Sequence, residues 1–327
     1  MDNKAISLGE LLIDFVSTEN GVTLKDAPGF EKAPGGAPAN VAVSIAKLGI
    51  ASYFIGKVGK DAFGDFLRET LELYGVNTQF LSTTGKAKTT LAFVSLTEEG
   101  ERDFVFYRDP GADMLLDQGD IQEDCFSGSG VFHFGSITMT HEPSHSATFK
   151  AITLARKYGY LLSYDPNLRP ALWKNTGDAR EKIRRGLEYC DLVKLNEEET
   201  CFIADTHNLD EAIRFIRSRY DPPLLAITMG RDGSMLYYRD QLIRANGFPV
   251  KSVDTTGAGD GFVGGLVSSL APFWNKIRDR QDVPEETLRF AVRYANAVGA
   301  LTTLKKGAIP ALPTRDEVEL FIRENTL

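Results

Sequence analysis

Asp254-Thr255-Thr256-Gly257-Ala258-Gly259-Asp260-Gly261-Phe262-Val263-Gly264-Gly265 reads as a glycine-rich turn that runs into a helix. A strand-like segment ending near Val253 leads into it, and Phe262, Val263, Leu266, Val267 and Leu270 then recur at helical spacing. Such a turn leaves backbone N–H groups facing outward with the positive end of the helix dipole behind them, which makes an anion site. Asp260 sits oddly there, because a carboxylate repels an anion. It either accepts a proton from an attacking hydroxyl or caps the helix, and the residues alone leave both open. The stretch is not GxxxxGK[ST], and Phe262 stands where GxGxxG needs its last glycine, so neither a P-loop nor a dinucleotide fold is expected.

Outward from this turn, strand-like and helix-like runs alternate. Ala5–Val16 is an apolar run broken by Glu10 and Asp14; Pro38–Leu48 has helical spacing; Tyr53–Val58 reads as strand and Asp61–Tyr74 as helix. The rhythm returns in Val131–Gly135, Ser144–Tyr158, Leu161–Asp165, Asp178–Leu187, Leu192–Leu195 and Leu224–Met229. The pattern predicts an α/β fold with a mostly parallel central sheet flanked by helices. Thr89–Ser95 and Asp103–Arg108 surround the polar turn Thr97–Arg102 and read as a projecting hairpin, with Phe104, Phe106 and Arg108 on one face. No repeat or linker divides the chain, so residues 1–327 are read as one domain with a small β appendage.

Three further segments carry polar groups suited to a ligand. Gly35-Gly36-Ala37-Pro38-Ala39-Asn40 is a turn feeding a helix, where glycines admit close backbone approach and Asn40 offers both donor and acceptor. Asp165-Pro166-Asn167-Leu168-Arg169 lies at the C-terminal end of a strand, the edge where open α/β sheets place ligands. Asn196-Glu197-Glu198-Glu199 follows another strand and offers oxygens to hydrated Mg²⁺, or is simply an acidic helix N-terminus. Thr228-Met229-Gly230-Arg231-Asp232-Gly233 is a glycine-bearing turn.

Composition sets limits on partners. The 327 residues are 43% hydrophobic and 25% charged with a net charge of −8, and no Lys/Arg cluster offers nucleic acid a basic stripe. No apolar run reaches the roughly 18–20 residues of a membrane helix. Met1-Asp2-Asn3-Lys4 runs straight into a strand-like segment without a leader pattern, and three cysteines without CxxC spacing suit reduced thiols, so a cytoplasmic protein is expected. The four histidines show no zinc-ligand pattern.

In this order the segments resemble the PfkB-type carbohydrate kinases, also called the ribokinase family. Gly35-Gly36…Asn40 and Asp254…Asp260 match its two signatures, and the resemblance runs from Gly9-Glu10 to Lys306-Gly307-Ala308. It implies a ribokinase-like fold with a β-sheet lid formed by segments near 14–30 and 86–110, and a homodimer through that lid. It implies ATP and Mg²⁺, with Asp260 as catalytic base and Gly257, Ala258 and Gly259 as the anion hole. Asp14, Gly35, Gly36 and Asn40 would hold sugar hydroxyls, Phe106 and Arg108 would face the sugar, and Asn167 and Arg169 would reach sugar and phosphate. Asn196 and Glu199 would organise Mg²⁺-ATP beside Lys194, while Thr228, Gly230, Gly233 and Asn296 would line the nucleotide pocket. A monovalent cation such as K⁺ is implied at Asp254, Thr256 and the loop containing Thr302, Lys305 and Gly307, although Ala311 stands where some relatives carry a serine ligand.

Gly9-Glu10-Leu11-Leu12-Ile13-Asp14-Phe15 and Tyr107-Arg108-Asp109-Pro110-Gly111-Ala112 resemble fructokinases within the family. A 2-keto-3-deoxygluconate kinase, whose lid arginine would meet a carboxylate, is the nearest alternative. A scaffold protein that has lost catalysis is the alternative of another class, against which the intact Gly257–Gly259 turn and Asp260 speak.

Overall fold

The computed structural model describes residues 3–19, 21–96 and 102–325, so all of the polar turn expected at Thr97–Arg102 except Arg102 lies outside the described residues. Among the described residues the chain forms β1 (Lys4–Leu8), β2 (Leu12–Ser17), β3 (Phe30–Gly35), α1 (Ala37–Lys47), β4 (Ala51–Gly59), α2 (Ala62–Leu73), β5 (Val76–Asn77), β6 (Leu81–Thr84), β7 (Leu91–Leu96) and β8 (Arg102–Tyr107). It continues through β9 (Gly130–Phe134), α3 (Ser144–Lys157), β10 (Leu161–Tyr164), α4 (Thr176–Leu187), β11 (Leu192–Asn196), α5 (Glu197–Ala204), α6 (Leu209–Arg219) and β12 (Leu224–Thr228). It closes with β13 (Ser234–Tyr238), β14 (Gln241–Ala245), α7 (Ala258–Ser269), α8 (Trp274–Arg278), α9 (Glu285–Thr302) and α10 (Arg315–Glu324).

The central sheet runs β14-β13-β12-β11-β10-β9-β1-β4-β5, with β6 also on β4, and is parallel except at the β12–β13 and β13–β14 pairs. Its strands are apolar on both sides because each side meets helices. Ala5, Val131, Leu161, Leu192 and Ala226 join α1, α7 and α9 in one core; Ile6, Phe132, Leu162, Val193 and Ile227 join α3, α4, α5 and α6 in another. Chain order leaves β1 towards β4 on one side and proceeds from β9 towards β12 on the other. The C-terminal edge around β1 and β9 is therefore a topological switch point, where such sheets bind ligands.

The apolar run Ala5–Val16 is two strands in two sheets, because Gly9-Glu10-Leu11 carries the chain out of the body. A Cβ at Gly9 would lie 2.3 Å from the Pro38 ring. The second, smaller sheet, ordered β3-β2-β7-β8, draws its strands from the regions expected to form a lid. Asp14 pairs with Ala92 and Ala92 with Phe106, so Asp14 and Phe106 share one rung and one face. The opposite face carries Phe15, which stacks on Phe93 at 5.0 Å and meets Phe63 of α2 edge-on at 5.8 Å.

The strand expected before Val253 is absent. Residues 246–257 form no helix or strand, since the chain leaves the β13–β14 hairpin and packs Phe248 against Tyr294, Val298 and Phe321. Val253 N and Asp254 N both donate to Thr303 O at the end of α9, at 2.8 and 3.2 Å, which steers the chain into the glycine turn. The last two glycines of the motif serve packing: α7 lies between α1 and α9, and a Cβ at Gly264 would stand 2.1 Å from Ser44 Oγ.

Candidate active site

Gly257, at φ 78°, is the N-cap of α7 and offers no capping side chain. Ala258 N donates to Thr255 O at 3.3 Å and closes the turn, while no capping side chain takes up the other first-turn N–H groups. Asp260 is the third residue of that helix, not its cap. It is 6% exposed, and its carboxylate accepts from Asn40 Nδ2 at 2.8 Å on one oxygen and from Asn167 Nδ2 at 3.0 Å on the other. Burial, with the Asp165 carboxylate nearby, pushes its pKa from 3.8 to about 6 against the Asn40 hydrogen bond and the charges of Lys194 and Arg169. A carboxylate so placed is ionised near neutrality yet basic enough to take a proton. Asn40, buried on α1, has its Oδ1 without a hydrogen-bond partner, an acceptor left over for a hydroxyl.

Lys194, buried on β11, pairs with Asp165 at 2.9 Å. Burial opposes its charge, yet Asp165, Glu199 and Asp260 together hold the ammonium above its ordinary range. A Cβ at Gly259 would meet Lys194 Nζ at 3.2 Å, so the ammonium lies against the glycine turn. Asn167, Arg169, Lys194, Glu199, Gly257 and Asp260 line a cavity of about 470 Å³. A second, of about 770 Å³, is lined by Thr228, Gly230, Gly233, Ala258 and Asn296, and the two share Lys194, Asn196, Glu198, Thr255 and Gly259. The two spaces thus meet at the lysine and the glycine turn.

Several expected residues line these cavities with their side chains committed to the protein. Asn196 and Glu199 form a capping box on α5, Asn196 Oδ1 accepting from Glu199 N at 2.7 Å and Glu199 from Asn196 N at 3.0 Å. The other Glu199 oxygen accepts from Leu168 N at 2.9 Å, and burial raises its pKa. Direct metal ligation by Glu199 therefore competes with two backbone bonds. Three buried carboxylates (Asp165, Glu199, Asp260) face one buried cation, Lys194, but among the described residues no three acidic, His or Cys side chains come together to ligate a metal directly, so a hard cation would be held here through water. Asn296 accepts from Ser234 Oγ at 2.8 Å and donates to Ala245 O and Asn246 O, so it braces the cavity wall. Thr228 Oγ1 reaches Leu195 O only at 3.4 Å.

Asp254 Oδ1 accepts from Thr256 N and Thr256 Oγ1 at 2.9 and 2.7 Å, and Oδ2 from Gly307 N at 2.9 Å. Thr302 turns its hydroxyl to Val298 O and Lys305 lies 3.7 Å from Glu317. A monovalent cation here fits only as a guest of one shared carboxylate and main-chain carbonyls, with Ala311 adding no side-chain oxygen.

Asp14, Phe106 and Arg108 line neither cavity. Gly35 makes room for Asp14, whose Oδ2 would lie 2.2 Å from a Cβ there, and a Cβ at Gly36 would meet Glu10 O at 2.3 Å. Arg108 stands just past the end of β8 and is buried, with its guanidinium taken up by the protein: Nε donates to Asp113 Oδ2 at 2.8 Å, Nη1 to Thr140 Oγ1 at 3.2 Å and Nη2 to Ile137 O at 3.4 Å. Asp113 was not visible as a partner in the sequence, although it stands five residues on. Nor was Glu10, which is buried, accepts from Ala37 N at 2.9 Å, and is pushed up to about 7 by burial.

Residues 2–315 match the pfkB family carbohydrate kinase description. "Probable fructokinase-6, chloroplastic" of Arabidopsis thaliana is 47% identical over 96% of this chain and 80% of its own. The structure of a fructokinase from Vibrio cholerae O395 in fructose, ADP and calcium ion bound form is 35% identical with a TM-score of 0.88 over 98% of both chains. A fructokinase from Xylella fastidiosa with bound ATP is 35% identical with a TM-score of 0.89 over 99% of both.

Proposed function

The chain belongs to the pfkB family of carbohydrate kinases, and we propose that it is a fructokinase, moving the γ-phosphoryl group of ATP to the primary hydroxyl of D-fructose to give fructose 6-phosphate. The observation that carries this reading is Asp260, buried between two asparagine amides at the uncapped start of α7. Asp260 takes the proton of the acceptor hydroxyl as that oxygen bonds to the γ-phosphorus and the bond to the bridging oxygen of ADP breaks. The N–H groups of Gly257, Ala258 and Gly259 receive the charge that builds on the transferring group. Lys194 and Arg169 add positive charge on the same side, and the Asn40 oxygen accepts from a sugar hydroxyl. Asp14, Gly35, Gly36 and Phe106 complete the sugar site from the lid. Thr228, Gly230, Gly233 and Asn296 form the nucleotide wall. Mg²⁺, held through water by Asn196, Glu198 and Glu199, would neutralise polyphosphate charge; K⁺ at Asp254 and the carbonyls of Thr256, Thr302, Lys305 and Gly307 would steady the glycine turn.

A neutral acceptor is favoured over an acid sugar by the state of Arg108. Its charge is already met by Asp113, so a substrate carboxylate entering there would face an arginine with little positive charge to offer. The similarity to fructokinases supports the same choice. The test is ATP turnover over a sugar panel. Fructose should exceed 2-keto-3-deoxygluconate in kcat/KM by at least about tenfold, one neutral hydrogen-bond pattern recognised over an unmatched charge. Preference for the acid sugar would refute the fructose assignment. A homodimer through the lid, supported by Val105 and Tyr107 exposed on its outer face, should appear as twice the monomer mass in light scattering.

A further inference from the structure

The lid joins the body through four chain crossings: β1 to β2, β3 to α1, β6 to β7, and β8 back to the body. All four are tied together by buried polar groups. Glu10 on the first accepts from Ala37 N on the second at 2.9 Å. Ile13 N, just past the first crossing at the start of β2, donates to Thr90 O at 3.1 Å, a main-chain bond that joins the lid end of the first crossing to the third. Thr90 Oγ1 in turn donates to Asp113 Oδ1 at 2.5 Å, which ties the third to the fourth. Asp113 Oδ2 receives Arg108 Nε at 2.8 Å and Nη2 at 2.7 Å, and the same guanidinium reaches Thr140 and Ile137 on the body.

Asp113 is 2% exposed, and its two oxygens do different things. Neutralising Arg108 needs only one of them. The other is spent on Thr90, immediately before β7, while Arg108 immediately follows β8. One carboxylate thus grips the entry and the exit of the same hairpin. The rung that this hairpin shares with β2 carries Phe106 and Asp14 on one face. The angle of the hairpin base therefore sets where that face stands.

We propose that Asp113 is a positioning residue for phosphoryl transfer: it clamps both ends of the β7–β8 hairpin so that the lid face bearing Asp14 and Phe106 closes over the acceptor and keeps water from the γ-phosphoryl group. The inference rests on the sugar kinase reading above. It adds a residue that touches neither substrate, and it predicts a specific failure. With the clamp loosened, water replaces the sugar hydroxyl as attacking group, and ATP yields ADP and inorganic phosphate without sugar phosphate.

The experiment measures inorganic phosphate and sugar phosphate separately in the same reaction, with the sugar that the unmodified protein phosphorylates best. Thr90→Val removes the donor to Asp113 at constant shape. It should raise the ratio of hydrolysis to transfer by about fivefold, the weight of one buried hydrogen bond. The KM for the sugar should rise with it, while the KM for ATP stays within about twofold, because the clamp lies on the lid side of the site. Thr90→Ser, which restores the hydroxyl, should return the ratio to that of the unmodified protein. Asp113→Asn should exceed Thr90→Val, since it also strips Arg108 of its counter-charge; the Thr90 pair is decisive whether or not that variant folds. An unchanged ratio in Thr90→Val, or no restoration by serine, would overturn the clamp, because a merely structural role lowers the active fraction without altering partition between water and sugar. Absence of any sugar phosphate from the unmodified protein would instead sink the kinase reading.

Discussion

Replacing Asp260 by Asn tests the proton acceptor with little change in shape. In the native site both carboxylate oxygens accept from amides, Asn40 at 2.8 Å and Asn167 at 3.0 Å. An asparagine at 260 presents one oxygen and one NH₂, so one neighbouring amide must turn. Asn40 can do so, because its own Oδ1 has no partner and would accept from the new NH₂. The fold should therefore tolerate the change, and the ionised carboxylate it loses was costly: a pKa raised from 3.8 to about 6 by burial disfavours that form by roughly 3 kcal/mol. A carboxyl raised in the fold stabilises below its unfolded pKa and loses that contribution as pH rises through the folded value. Asp260→Asn should thus melt higher than the native protein at pH 7 to 8, with the gain vanishing near pH 4. Catalysis moves the other way. Loss of the acceptor should lower kcat by at least about 10²-fold, near 2.7 kcal/mol of barrier, with modest change in KM. ADP release coupled to a reporter enzyme, run across pH, supplies the second readout: the native log kcat/KM should fall below about pH 6 as Asp260 protonates, and the variant should lack that limb. A variant with near-normal kcat, or one that keeps the acid limb, would refute Asp260 as the base.

Gly257→Ala should cost about 2 kcal/mol of stability and at least tenfold in kcat, read by thermal melting and by turnover. Its φ of 78° disfavours a side chain, and the added methyl would stand 2.7 Å from Ala308 Cβ, moving the first-turn N–H groups. Supplementing Na⁺-free, K⁺-free buffer with K⁺ should raise activity several-fold, and Asp254→Ala should abolish the response. No response in the unmodified protein would mean that the three donors on Asp254 hold the loop without a cation.

What the sequence made legible were features with a local cause. A glycine turn before periodic apolar residues announces the start of a helix, as at Gly257, and strands buried on both faces announce a parallel sheet, as Val131–Phe134 and Leu192–Leu195 do. The cap and base readings of Asp260 could not be separated locally, because the two amides that hold its carboxylate come from positions 220 and 93 residues away. Asn196 and Glu199 show the reverse: S/T/N-x-x-E is a local capping box, and that local reading describes what their side chains do. The strand expected before Val253 failed for a nonlocal reason, the pull of Thr303 O on two successive amides.

The lid was the least legible part, and the reason bears on how the enzyme works. Its four strands come from two separated stretches, 12–35 and 91–107, joined by a parallel β2–β7 pairing that no local periodicity encodes. Arg108 illustrates the consequence. Strand phase was carried one residue past the end of β8 to place it, and the partner it meets there, Asp113, belongs to the return of the chain into the body. An arginine read as a substrate contact is thus also a joint. The two roles predict different losses: a contact costs affinity for the sugar, whereas a joint costs the distinction between sugar and water as acceptor. Measured together, KM and the partition of ATP between transfer and hydrolysis separate them at this position as they do at Thr90.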